Sequence, residues 1–354
     1  MGFDDTLTHD NYFDNDPELS RNGEPPVVFK GQNSEVLVAA ALEYIDKVKN
    51  TGKPFGIVIW FADPHGKYIP LQKDLDLYKD VPGIEGGLKG KKGYYAEITG
   101  MDRAIGKLRT GLKERAVEEN TLLWFCGDNG RASSDPHDPS TYSGIKAKLS
   151  EGGTRVPGVL VWPAKIKKPM TVSMPCSILD IFPTVMDIIG EEYVDERPID
   201  GISLKPLFEG KMQKRSKPIP FWEFPWQISI GKTADKMKNY FADETATKGY
   251  TEKFNNYDLR GFNPEKHFDE YRKKYKGTKE KNGKPVKVPK DSGKLCLVDG
   301  NYRLDISSDW TIPRLMDLTT GKKTENAEVV EKMTAYLKEW RKSVENSWSG
   351  NDYK

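Results

Sequence analysis

Residues 121–130 read Thr-Leu-Leu-Trp-Phe-Cys-Gly-Asp-Asn-Gly, and residues 151–157 read Glu-Gly-Gly-Thr-Arg-Val-Pro. The first stretch is a continuous apolar run that stops at Asp128 and Asn129. Such a run without alternation is typical of a strand covered on both faces, as in a parallel sheet. Open α/β sheets bind ligands beyond the carboxyl ends of their strands. The sequence therefore places two hard oxygen ligands where a divalent cation would bind.

A cationic side chain follows this pair. Lys146 precedes a Gly-Gly break at 152–153 that lets the backbone turn closely, so its ammonium group can meet an anion held on the cation. Lys148 stands beside it, and a surface pair is the ordinary interpretation of such neighbours. Glu151 and Arg155 are four residues apart around the two glycines, and we expect them to pair and to fix the loop.

Two histidines are candidates for the same site. His65 follows another continuous apolar run, residues 55–61, and two polar strand ends in one parallel sheet converge on one face. A hydrogen-bonded structural histidine is the alternative. His137 lies in the polar loop between Asp128 and Lys146, where it either reaches the leaving group of a substrate or remains a solvent-exposed loop histidine.

Composition excludes several classes of protein. The 354 residues carry a net charge of only +2, which gives no overall attraction to nucleic acid. No apolar run approaches the roughly 20 residues that a membrane-spanning helix needs. The three cysteines have no paired spacing, so we expect core residues rather than disulfides or a zinc site. Residues 266–294 are rich in lysine and form either a solvated loop or a surface that attracts an anionic glycan.

The order of the elements predicts the fold class. Apolar residues at helical spacing predict helices at 36–50, 94–116, 178–189 and 325–344, the last capped by Thr324, and apolar runs predict strands at 55–61, 121–126 and 158–162. We expect an α/β fold over residues 1–212, a mostly parallel sheet flanked by helices. For residues 213–354 we expect a small antiparallel sheet packed by one helix, with strands at 219–224, 294–298 and 302–306.

Several motifs together resemble one known family. Cys126-Gly-Asp128-Asn129-Gly130, Gly144-Ile-Lys146 and the 151–157 segment occur in the order found in the sulfatase family of the alkaline phosphatase superfamily. Flanking pieces resemble the family in the same order: Ala62-Asp-Pro64-His65, Tyr94 to Asp102, Ile181 to Thr184 and Asp200 to Leu204. The resemblance implies an alkaline phosphatase-like fold and hydrolysis of sulfate esters, with a sulfated sugar or polysaccharide as the expected substrate.

The resemblance also assigns roles to residues. It implies that Asp128 and Asn129 ligate calcium and that Lys146 contacts both the sulfate and the nucleophile. It implies that His65 holds the sulfate or assists the leaving oxygen. We expect the parent protein to be periplasmic or extracellular.

The family's nucleophile is not found in this chain. In sulfatases it is a formylglycine made from a cysteine in a C-x-P-S-R motif, and Cys126, Cys176 and Cys296 all lie outside such a motif. The paired aspartates of the family's N-terminal third are also missing. We therefore expect the isolated chain to be inactive and to bind calcium only weakly, because two ligands fall short of the usual six to eight.

Three alternatives stay open. One is a metal-dependent phosphoesterase of the same superfamily, although a second metal with histidine ligands is less expected in a chain with four histidines. Another is a non-catalytic glycan-binding remnant. The third is a subunit of a split enzyme, completed by a separate N-terminal polypeptide.

Overall fold

The protein is described by a computed structural model that covers residues 3–8, 15–66, 68–84, 90–131, 142–195, 197–223, 278–281, 284–287, 293–348 and 352. The chain separates into two compact units. In the described part, the first unit ends at Thr121 and the second begins at Leu122. The boundary near residue 212, which rests on a change in sequence texture, stays a prediction.

The first unit combines a small sheet with three helices. Strands β1 (Leu7–Thr8), β2 (Glu18–Arg21) and β3 (Val27–Val28) pair antiparallel in that order. Helix α1 (Asn33–Val48) packs against α3 (Lys91–Glu114), and the short α2 (Gln72–Asp76) also contacts α3. The two long helices confirm the helices predicted from apolar spacing. Each has an apolar stripe, and the stripes include Ile45 of α1 and Leu108 of α3, which are buried. The two helices pack against each other.

The apolar run at 55–61 does not form the predicted strand. Residues 54–62 have no regular secondary structure, and Trp60 is 82% exposed while Val58 is 57% exposed. A strand exists only through hydrogen bonds to a neighbouring strand, and none of the described residues pairs with this run. The apolar composition of residues 55–61 suggested a strand, but composition does not specify the neighbouring strand with which such a segment would have to pair.

The second unit begins with a two-stranded ladder. Strand β4 (Leu123–Cys126) pairs with β5 (Gly158–Val161), with Cys126 opposite Gly158 and Leu123 opposite Val161. The short helix α4 (Glu151–Thr154) lies between them in sequence. Helix α5 (Ile181–Ile189) ends at Gly190, which adopts the left-handed conformation at φ 79°, and α6 (Lys205–Phe208) follows.

The mostly parallel sheet is not confirmed. Every strand pair in the described ranges is antiparallel, including β4 with β5. The chain turns back after Asp128, and the hydrogen bond from Gly127 N to Pro157 O at 3.1 Å continues the ladder beyond the strand ends. Sequence pattern alone cannot separate this arrangement from a parallel one, because a strand covered on both faces is apolar in either case.

The C-terminal sheet and its helix confirm the prediction for this region. The strands β6 (Ile219–Trp222), β9 (Leu295–Asp299), β10 (Tyr302–Ile306), β11 (Arg314–Asp317) and β12 (Lys322–Lys323) lie in the order β12-β11-β10-β9-β6, all antiparallel. A separate hairpin pairs β7 (Thr278–Lys281) with β8 (Lys284–Lys287).

The last helix supplies the other half of this core. Helix α7 (Ala327–Trp348) contributes Met333 and Leu337, which pack on buried residues of the sheet: Leu295, Leu297, Leu304, Ile306 and Leu315. The predicted cap Thr324 is wrong, because Asn326 Oδ1 accepts the hydrogen bond from Val329 N at 3.1 Å. The side-chain oxygen of Asn326, two residues after Thr324, thus accepts from one of the backbone N–H groups that have no partner within the first turn of a helix.

Candidate functional site

The turn after β4 presents two exposed oxygen-bearing side chains. Asp128 Oδ1 accepts hydrogen bonds from Asn129 N at 2.7 Å and from Asn129 Nδ2 at 3.0 Å. Asn129 Nδ2 also donates to Gly130 O at 3.3 Å. The side-chain oxygen of Asn129 takes no part in these hydrogen bonds. The turn therefore holds a carboxylate and an amide side by side, at the edge of the ladder where the apolar strand ends.

The loop that carries Lys146 is fastened to this turn through the backbone. Gly130 N donates to Gly153 O at 3.0 Å, and Lys146 N donates to Arg131 O at 2.8 Å. Gly152 N donates to Ser143 O at 2.9 Å and closes the loop on itself. Two of these three hydrogen bonds thus hold residues 143–155 against the segment that follows the strand, and the third lies within the loop.

Glycine is required at this contact for steric reasons. A Cβ atom at Gly130 would collide with the carbonyl oxygen of Gly152, and one at Gly153 would collide with the carbonyl oxygens of Lys148 and Ile145. Both glycines are buried, and neither has a positive φ. Their role is close approach of two backbones rather than an unusual conformation. The Gly-Gly break in the sequence is explained by this packing.

The structure separates the two lysines of the loop. Lys146 is half-buried and its backbone N–H is tied to the segment that follows Asp128, whereas Lys148 is exposed. Glu151 and Arg155 form an ion pair of 3.1 Å, and the Arg155 guanidinium lies 4.4 Å from the centre of the Tyr142 ring. Both of these contacts join Arg155 to residues earlier in the chain, one to Glu151 and one to Tyr142.

The loop is also supported by Arg303, a residue of a distant strand to which the sequence assigned no role. Arg303 on β10 is nearly buried and donates to Leu149 O and, at 3.4 Å, to Thr154 Oγ1. Its charge is balanced by Asp305, at 2.8 Å. The guanidinium group of Arg303 therefore connects the C-terminal sheet to the loop. The sequence offered only a charged residue in a strand pattern, which gives no indication of a contact 154 residues away.

His65 lies in the first unit. Its side chain is exposed, its N–H donates to Ala62 O at 2.9 Å, and its Nδ1 lies 2.6 Å from Gly66 O. A carbonyl can only accept, so Nδ1 carries the proton in this contact. His137 lies outside the described residues, as does most of the basic stretch 266–294, of which only the strands β7 and β8 and residues 293–294 are described.

The three free cysteines differ in exposure: Cys296 is buried, Cys126 is partly buried and Cys176 is exposed. Burial raises the pKa of all three thiols, helped at Cys126 by the negative charge of Asp128 and at Cys176 by that of Asp180. Cys296 is buried in β9 beside Arg303. The thiolate is the reactive form, and a raised pKa keeps each sulfur protonated at neutral pH.

The oxygen ligands fit a hard cation in kind but not in number. Asp128 and Asn129 supply carboxylate and amide oxygens, which suit calcium. In the described ranges no cluster of three or more metal-ligating side chains is found. Two such side chains fall short of the six to eight oxygen ligands that calcium usually takes.

Comparison with known proteins decides the family. The sequence profile of the sulfatase family matches residues 1–191, more than half of the chain. The chain belongs to the sulfatase family. Human steryl-sulfatase is 32% identical over 200 residues, which are 54% of this chain and 32% of that protein. Arylsulfatase G of Rattus norvegicus is 30% identical over 203 residues, which are 54% of this chain and 36% of that protein. The matched part of this sulfatase chain thus spans about a third of the length of each of these two relatives.

Solved structures show the same fold. The structure of Ps i-CgsB in complex with k-i-k-neocarrahexaose has a TM-score of 0.65 at 18% identity, over 92% of this sulfatase chain and 58% of that chain. A structure in complex with its substrate D-glucosamine-2-N,6-O-disulfate has a TM-score of 0.60 at 13% identity, over 100% of this chain and 78% of that one. Through the described residues, no helix of the sulfatase chain is long and apolar enough to span a membrane.

Proposed function

We propose that this chain is the central and C-terminal portion of an enzyme that hydrolyses sulfate esters of sulfated sugars or polysaccharides. Membership of the sulfatase family supports the reaction. Solved structures of the same fold in complex with k-i-k-neocarrahexaose and with D-glucosamine-2-N,6-O-disulfate support the substrate class. The observation that carries the proposal is the backbone junction of the Asp128 turn with the Lys146 loop. It supports the proposal because two backbone hydrogen bonds join the segment of the two proposed calcium ligands to the segment of Lys146.

Each residue has a chemical task in this proposal. Lys146 donates charge-assisted hydrogen bonds to a sulfate oxygen, and these strengthen as negative charge develops in the transition state. His65, held as its Nδ1–H tautomer, contacts the sulfate or gives a proton to the leaving oxygen. Asp128 and Asn129 hold calcium, and His137 contacts the substrate. Glu151 and Arg155 keep the loop in shape.

We further propose that a formylglycine nucleophile belongs to a part of the enzyme that this chain does not supply, and that the chain alone does not turn over sulfate esters. The lack of a C-x-P-S-R motif around Cys126, Cys176 and Cys296 supports this. A separate N-terminal polypeptide would complete the site. The enzyme would act outside the cytoplasm, in the periplasm or beyond the cell.

The two lysines give a matched test of the sulfate site. Binding of D-glucosamine-2-N,6-O-disulfate to the full chain, followed by calorimetry or by ligand NMR, should weaken at least about tenfold in Lys146→Ala, because a charge-assisted hydrogen bond contributes about 1.5–3 kcal/mol. Lys148→Ala removes the same charge from an exposed position two residues away. We expect it to change binding by less than about twofold.

The result has clear alternatives. Equal losses in the two variants would mean attraction to general positive charge rather than a sulfate site, and loss in Lys148→Ala alone would reassign the site. Binding that survives both changes but depends on the lysines of 266–294 would favour the glycan-binding remnant.

A further inference from the structure

The loop that carries His65 begins at a buried polar junction. Residues 62–66 and 68–70 are the described part of this loop, and Asp63 lies near its start. Asp63 Oδ2 accepts a hydrogen bond from Gln32 Nε2 at 2.7 Å and another from the hydroxyl of Ser34. Gln32 is the N-cap residue of α1, and both donors are buried. The start of the loop is therefore anchored to the first turn of a helix.

The end of the same loop is anchored to a different helix. Ile69 N donates to Glu97 Oε1 on α3 at 2.5 Å. Glu97 is only 5% exposed, and its carboxyl group is in hydrogen-bond contact with Asp63. The two ends of the loop thus meet at two carboxyl groups, Asp63 and Glu97, which we call the carboxyl pair. His65 stands between the anchors on the exposed side.

The cations near the carboxyl pair are engaged with other acids. Arg103 makes hydrogen bonds of 2.6 and 2.8 Å to the two oxygens of Asp74 on α2, and one of 2.5 Å to Glu35 on α1. Lys107 also pairs with Glu35. Among the described contacts, the carboxyl pair has no ion pair with either cation. Two acids in contact at a buried site are stable together only when a proton lies between them.

We propose that the carboxyl pair shares one proton and in this way closes the loop, so that Asp63 and Glu97 are positioning residues for His65. The proposal rests on the proposed function only where it takes His65 as the residue that meets the sulfate. The carboxyl pair itself stands on the contacts of the first unit.

Electrostatics supports this arrangement. Burial, the contact with Asp63 and the negative charge of Asp74 raise the pKa of Glu97 to about 9. The folded protein therefore keeps a proton on Glu97 that the unfolded chain loses near pH 4.3, the usual value for glutamate. Stability must then fall as the pH rises from that value toward 9. Above the upper limit two like charges face each other, and the loop loses its closure.

NMR on the full chain tests the proposal directly. The side-chain carboxyl carbon of Glu97 should titrate near pH 9, and the Cε1–H resonance of His65, assigned from a His65→Gln variant, should show an inflection at the same pH. Tyr68 faces Glu97 as well, but burial raises its pKa above the usual 10, so it titrates at higher pH. The carboxyl carbon does not exchange with water and the Cε1-bound proton exchanges only slowly, so alkaline samples remain measurable.

Three variants separate positioning from general stability. Glu97→Gln keeps an oxygen for Ile69 N and an amide donor for Asp63, so the loop should stay closed and the alkaline inflection of His65 should vanish. Asp63→Asn removes one of the two like charges, so Glu97 and the His65 inflection should both move to lower pH. Glu114→Gln changes an exposed acid of the same helix and should alter neither curve.

Each contrary outcome is distinct. Titration of Glu97 near its usual value would refute the carboxyl pair. Titration near pH 9 without any response of His65 would leave a structural pair and overturn its positioning role. If the NMR curves behave as expected but His65→Gln leaves binding of the glucosamine disulfate unchanged, the carboxyl pair stands and the sulfate-binding role of His65 fails.

Discussion

Two strand systems of the second unit differ in how their apolar residues are covered. In the C-terminal sheet, Leu304 is fully buried, and helix α7 covers the face on which it lies. In the β4–β5 ladder, Val159 is 55% exposed, and the four residues of β4 are only partly buried. Both regions are apolar in sequence. The C-terminal region includes helix α7, which covers its sheet. The ladder has two strands, and Val159 remains exposed among the described residues.

The difference separates the C-terminal sheet, which stabilises the second unit, from the β4–β5 ladder, which carries the candidate site. The C-terminal sheet buries its apolar residues within the chain, so it acts as a support, and it extends Arg303 to the carbonyl of Leu149 in the loop. The ladder keeps its polar end accessible and relies on backbone hydrogen bonds and on that support. Sites built on such supported loops are common, because a rigid scaffold can position exposed groups.

The largest expected effect separates the two regions by truncation. Leu304→Ala should lower the free energy of unfolding by about 2–5 kcal/mol, because it leaves a cavity in a closed core. Val159→Ala should change it by less than about 0.5 kcal/mol, because the side chain is already in water. Urea denaturation followed by tryptophan fluorescence measures both. Similar losses in the two variants would mean that the ladder is covered as well as the C-terminal core is.

A smaller effect tests the junction between turn and loop. Gly130→Ala places a methyl group against the carbonyl of Gly152, so it should cost about 1–3 kcal/mol and weaken binding of the sulfated probe by separating Lys146 from the Asp128 turn. Gly158→Ala is the matched control, because a Cβ there meets no atom within 4 Å. Its binding should equal that of the unchanged chain. Unchanged binding in Gly130→Ala would show that the close approach is unnecessary.

Much of the fold was predictable where local pattern decides it. The helices at 33–48, 91–114 and 181–189 follow from apolar spacing, and Gly190 marks a helix end. The C-terminal strands follow from short apolar runs between turns. The direction of β5 and the state of residues 55–61 did not follow, because strand pairing depends on a partner that a single segment does not specify.

The site was predictable to a different degree. Family motifs identified Asp128, Asn129 and Lys146, and the structure shows the backbone bonds that join their segments. Their roles as ligands and as sulfate contacts stay predictions, as does that of His65. Arg303 and Glu97 escaped notice because their importance arises from burial against distant residues, and a charged residue in a strand or helix pattern is normally solvated.

One measurement tests the central claim that this chain holds a partial sulfatase site without a nucleophile. The purified chain is incubated with calcium and either p-nitrophenyl sulfate or D-glucosamine-2-N,6-O-disulfate, and sulfate release is followed. The account predicts no release above the buffer rate. Release that requires calcium and disappears in Lys146→Ala would contradict it, because the chain would then contain a nucleophile of its own.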